Sequence, residues 1–97
     1  MRYRKRPVVI QAFRFFANDV HKNMDGRLRN WPKWAVRALR ADGVRKVRIW
    51  NDCDKVFWCG THDGPMRISD GDWIIRGVKG EIYPCRPDVF EMTYEAA

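Results

Sequence analysis

The sequence predicts an α+β fold: a small, twisted, mostly antiparallel β-sheet or partly open barrel, one amphipathic helix, and a short C-terminal helix. Three observations predict it. Short runs rich in Val, Ile, Trp and Tyr are separated by Gly- and Asp-containing turn signals, most densely from Met66 to Glu95. Trp31, Trp34, Ala35, Ala38 and Leu39 recur at i, i+3, i+4, i+7 and i+8, the spacing of one helix face. Arg86-Pro87-Asp88 places a proline where a helix starts, because its fixed φ already suits the first helical position.

In chain order, residues 1–6 form a basic N-terminal arm, Arg2-Tyr3-Arg4-Lys5-Arg6, either a frayed, solvated terminus or a ligand-reaching segment. Val8 to Phe16 carries Val8, Val9, Ile10, Phe13 and Phe15 on both faces of an extended run, which predicts a strand central in the sheet. Residues 18–30 are polar, contain Asp25-Gly26, and read as a long loop. Asn30 is the expected N-cap of the helix, Trp31 and Pro32 its first positions, and Gly43 its end. Val44 to Trp50 mixes Lys and Arg into both faces, as an edge strand does. Val56 to Thr61 is the next strand, and His62-Asp63-Gly64-Pro65 returns the chain. Met66 to Ser69, Asp72 to Arg76 and Glu81 to Tyr83 are predicted to form a three-strand meander. Its turns are Asp70-Gly71 and Gly77-Val78-Lys79-Gly80. In the last helix Val89, Phe90 and Tyr94 are expected to face inward.

The length of 97 residues corresponds to one domain, residues 1–97. Its core is small, and five Trp, five Phe and three Tyr offset that. Surplus aromatic surface also suits a homodimer. The lack of a long apolar run predicts no membrane-spanning helix, and the N-terminus has no signal-peptide pattern, so a cytoplasmic protein is expected. Three Cys without paired spacing argue for reduced thiols and not a disulfide framework. The net charge is +7 and unevenly spread. Up to Arg48 there are fourteen Lys or Arg against three Asp, a balance of +11; from Ile49 on there are five against nine acidic residues, a balance of −4. A basic surface for a polyanion, or a bipolar molecule that self-associates, follows from such asymmetry.

Tyr3 to Ile10, Gly71 to Glu81, Tyr83 to Cys85 and Pro87 to Phe90 carry a resemblance. They are similar to the opening Tyr-Arg-Lys-Lys-Pro-Val-Val-Ile-like run and the closing Gly-Asp-(Trp/Tyr)-Ile-Ile-(Arg/Lys)-Gly-Val-Lys-Gly-Glu-like, Tyr-Pro-Cys and Pro-Asp-x-Phe segments of a family of small bacteriophage- and prophage-encoded proteins. The resemblance covers both ends of the chain; residues 18–65 carry no such motif. It implies a phage origin, hence the cytoplasm of a bacterial host, and no mechanism.

Three chemistries are weighed on residue types. Gly77-Val78-Lys79-Gly80 has the spacing of a Gly-x-x-Gly nucleic-acid clamp, but that clamp joins helices, and the flanks here read as strands. Cys53, Cys59, His62 and Cys85 lack the short paired spacing of a zinc site, so no metal or other cofactor is expected. His21, His62, Asp70 and Asp72 sit in no recognisable catalytic pattern, so the chain is not expected to be an enzyme; a small hydrolase or nucleotide-binding protein is the outlying reading. What survives is the basic set Arg2, Arg4, Lys5, Arg6, Lys33, Arg37, Arg40, Arg45, Lys46 and Arg48, which is either a solubilising surface or a nucleic-acid-binding one. A small, non-catalytic phage accessory protein is therefore expected, acting by electrostatic nucleic-acid binding. The alternative is a protein-interaction module that binds and inhibits a host protein such as a defence component.

Overall fold

Among the described residues, six short strands divide between two three-stranded antiparallel sheets. The computed structural model describes residues 1–3, 8–22, 31–41, 47–52 and 56–96, with backbone alone at His21 and Lys22. The first sheet runs in the order β1 (Gln11–Arg14), β5 (Trp73–Arg76), β6 (Ile82–Cys85). The second runs β2 (Ile49–Asn51), β3 (Phe57–Thr61), β4 (Gly64–Ile68). Helices α1 (Ala17–Lys22), α2 (Lys33–Arg40) and α3 (Pro87–Thr93) complete an α+β architecture in which neither sheet closes into a barrel.

One core serves both sheets and α2. Phe13, Phe15, Ile74 and Ile82 meet Ile49, Phe57, Cys59 and Ile68, with Trp31, Ala35 and Ala38 above them. Aromatic contacts hold its middle: Phe13 and Trp31 have ring centroids 4.8 Å apart, and Phe15 and Phe57 5.0 Å apart at a steep angle. The edge strand β6 also lies against β3 and β4, so the first sheet abuts the second.

Several expectations hold in detail. The Gly77–Gly80 segment is the β5–β6 hairpin turn, with Gly80 at φ +83 and the Gly77 N–H donating to the Glu81 carbonyl at 2.8 Å. Pro87 is in the first turn of α3. Of the edge strand expected over Val44 to Trp50, the structure has the three residues of β2, Ile49–Asn51, at an edge; residues 44–46 lie outside the described residues. At the β3–β4 hairpin, Pro65 pairs with Gly60. The Gly60 N–H turns the other way, to the Arg48 carbonyl at 2.9 Å, so the proline costs no bond between β3 and β4.

Other expectations are corrected. The three-strand meander does not form: β4 pairs with β3, whereas β5 pairs with β1 and β6. Asp70-Gly71 is therefore a corner between the two sheets. It is bound to the chain before α1: Gly71 N–H donates to the Phe15 carbonyl at 2.8 Å and Phe15 N–H to the Asp72 carbonyl at 2.7 Å. The first strand is short and lies at an edge, with Val8 and Val9 exposed; β5 takes the central place. The run looks buried on both faces because Phe13 faces the main core while Ala12 and Ile10 face a second apolar layer beside α3.

The loop expected over 18–30 begins as helix α1 through Lys22; the remainder, 23–30, lies outside the described residues. Helix α2 has Pro32 in the N-cap position and Ala41 as its C-cap, so Trp31 precedes the helix; Asn30 and Gly43 lie outside the described residues. Trp31, Ala35 and Ala38 are buried, whereas Trp34 and Leu39 are only partly so. In α3, Phe90 stacks on Trp73 at 4.1 Å and Tyr94 follows it at 5.1 Å, but Val89 faces solvent.

Candidate nucleic-acid interface

Burying Ala35 and Ala38 turns the opposite side of α2 outward, and with it Lys33, Arg37 and Arg40, all exposed at i, i+4 and i+7. Trp34 sits at the margin, half-buried, with its ring edge-on to Phe13 at 5.4 Å. Beside it opens a cleft of ≈ 390 Å³ lined by Trp34, Arg37, Ala38, Val47, Arg76 and Gly80. Two guanidinium-bearing residues from different elements thus share one concavity. Arg76 is steadied there by donating to the Gln11 side-chain carbonyl at 3.2 Å. The Gly77–Gly80 turn borders the cleft and carries exposed Lys79.

Arg48 belongs to a different surface. Ile49 turns into the core that α2 helps to build, so Trp50, next along β2, turns to the other face of the second sheet. The Arg48 guanidinium lies 4.0 Å from the Trp50 ring centroid, a cation–π contact. The basic residues are thus divided between two faces. Arg2 is exposed near the chain start; Arg4, Lys5, Arg6, Arg45 and Lys46 lie outside the described residues.

Arg76 is the residue the sequence reading passed over. It falls in the acidic half, and overall charge balance hid it. A usable signal existed: Arg76 follows Ile74 by two, so it shares the core-side face of β5, and it abuts the glycine turn, so it must emerge at the sheet's end.

Several other polar groups have structural work. Asp72, nearly buried, accepts the Ser69 N–H at 2.9 Å, and Asp70 accepts the Ala17 N–H at 2.8 Å. Cys59 is sealed in the core, where burial pushes its thiol up to about 12. Burial also raises the Cys85 thiol, reinforced by the Asp72 and Asp88 carboxylates. His62 is exposed on the β3–β4 turn; Cys53 and the His21 side chain lie outside the described residues. Among the described residues, no three His, Cys, Asp or Glu gather as a metal site, and no helix is long and apolar enough to cross a membrane.

A second concavity, ≈ 500 Å³, is apolar. It runs between the Val8–Ala12 segment and α3, with Trp73, Phe90 and Tyr94 in its wall. No protein-family profile, curated protein or solved structure matches this chain.

Proposed function

We propose that the chain is a small, non-catalytic phage accessory protein that binds nucleic acid chiefly through phosphate contacts. The observation that carries this reading is the convergence of Arg37 and Arg76 on one cleft beside Trp34, extended along α2 by Lys33 and Arg40. Arginine suits the task because its planar fork meets phosphate oxygens in pairs. A net charge of +7 supplies the long-range attraction. Binding of this kind releases counterions, so it weakens steeply with salt and is nearly independent of base sequence.

The test is filter binding of single- and double-stranded probes at two salt concentrations. Arg37→Gln and Arg76→Gln each weaken retention for every sequence and flatten the salt slope by about one unit per lost phosphate contact. No retention of either probe at low salt would remove the nucleic-acid reading.

The apolar groove beside α3 favours a second reading, a module that occupies a host protein. Exposed Val8, Val9, Val89 and Met92 surround that groove or lie near it in the chain. Capture of one host protein that survives nuclease and high salt, and is lost in Phe90→Ala, is the outcome specific to this reading.

A further inference from the structure

The outer face of the second sheet carries a row of side chains that the α2 cleft does not use. The register sets Trp50 opposite Trp58 and Trp58 opposite Arg67, so the three share one face across β2, β3 and β4. Neighbouring residues Ile49, Phe57, Cys59 and Ile68 point to the other side and are buried, which fixes the direction of the row. Trp50 and Trp58 are half-buried and belong to no core cluster; Arg67 is exposed. Arg48 closes the near end over the Trp50 ring.

The Trp58 ring is held by its edge. Its Nε1–H donates to Asp52 Oδ2 at 3.0 Å, and Asp52 Oδ1 accepts the Val56 N–H at 3.0 Å. That second bond fixes the carboxylate, and the first fixes the plane of the indole. Two tryptophans on adjacent strands, one pinned and one under a guanidinium, with an arginine at each end, form a flat amphipathic strip. Solubility alone does not call for indoles here, since Lys or Thr would serve an outward strand position with less apolar exposure.

We propose that this strip is a stacking platform for unpaired bases, making single-stranded nucleic acid the preferred ligand. The inference rests on the nucleic-acid reading above and sharpens it. Every base offers a π-face, so stacking is tolerant of sequence: a base takes the Trp58 face directly and the Trp50 face by displacing the Arg48 guanidinium, which then meets a phosphate on one side as Arg67 does on the other. A paired duplex hides its base faces and gains only the phosphate contacts.

The experiment compares a short oligothymidylate with an abasic oligomer of equal length and charge, followed by tryptophan fluorescence and filter retention. The parent binds oligothymidylate more tightly and its fluorescence is quenched. Trp50→Leu weakens oligothymidylate binding about 5- to 150-fold, leaves abasic binding unchanged, and Trp50→Phe recovers most of the loss. Arg67→Gln, an exposed position, weakens both oligomers equally and serves if Trp50→Leu fails to fold by circular dichroism. Equal, unquenched binding of both oligomers, weakened by Arg37→Gln but not by Trp50→Leu or Arg67→Gln, overturns the platform and leaves the α2 cleft standing. Absence of binding to either oligomer overturns both.

Discussion

The backbone N–H of Ala17 donates to the side chain of Asp70, 2.8 Å away in space and 53 residues away in the chain. A helix normally draws its N-cap from the residue just before it; here the sheet-to-sheet corner supplies one from a distance. Asp70→Ala is expected to lower stability by about 0.5–2 kcal/mol, with Asp70→Asn retaining most of the parent value. Chemical denaturation of the two variants checks this, and an unchanged midpoint for Asp70→Ala would show that the cap holds nothing.

Gly71 stands beside that aspartate at φ +87 and gives its N–H to Phe15. A side chain there is strained whatever space it finds, so Gly71→Ala should cost about 1–2 kcal/mol. Gly71→Val should cost more, because a β-branched residue tolerates the left-handed region least. Unfolding of both at the parent's denaturant concentration would refute the strain.

The tryptophans of the α2 region differ in weight. Trp31 is 6% exposed and has ring neighbours Phe13 and Phe15, whereas Trp34 keeps part of its ring in solvent. Trp31→Ala should cost about 3–5 kcal/mol, Trp34→Ala clearly less, and exposed Lys33→Ala within about 0.5 kcal/mol. Their denaturation midpoints should fall in that order; a Trp34 loss equal to that of Trp31 would contradict the packing.

That order also shows where sequence reading reaches. Apolar spacing located α2 because periodicity is a local property, yet it ranked Trp31 and Trp34 alike, since depth depends on what lies opposite. The Gly77–Gly80 hairpin and the proline start of α3 were legible for the same local reason. The meander was not: Asp70-Gly71 signals a sharp turn, but a turn dipeptide does not state whether its two strands pair with each other or leave for different sheets. Helix α1 was hidden because its cap is Asp70. Among the basic residues, charge counting singles out the α2 arginines and passes over Arg76 and Arg67, whose surroundings are set by strand register.

Alkaline pH should weaken the fold through Cys59. Its thiol is pushed from an ordinary 9.0 to about 12 by burial, so the folded protein keeps the proton that the unfolded chain releases. The stabilisation is complete below about 9 and is lost progressively as pH rises towards about 12. Tyr83 acts in the same direction, its phenol raised by burial and then by the Tyr94 hydroxyl. The denaturation midpoint of the parent should fall more steeply with alkali than that of Cys59→Ala. Parallel curves would show that the buried thiol is not the cause.

Pro65 has a consequence for life at high concentration. Among the described residues no strand pairs with the outer margin of β4, the kind of ladder on which a second chain grows by strand addition. The N–H that would recruit it is missing at Pro65, because that position directs its nitrogen away from β3. Strand addition at that margin is thereby deprived of one donor without loss of internal bonding. Pro65→Thr should fold with the parent's secondary structure and yet aggregate faster on concentration, as light scattering would register; equal aggregation rates would show that the margin is guarded by something else.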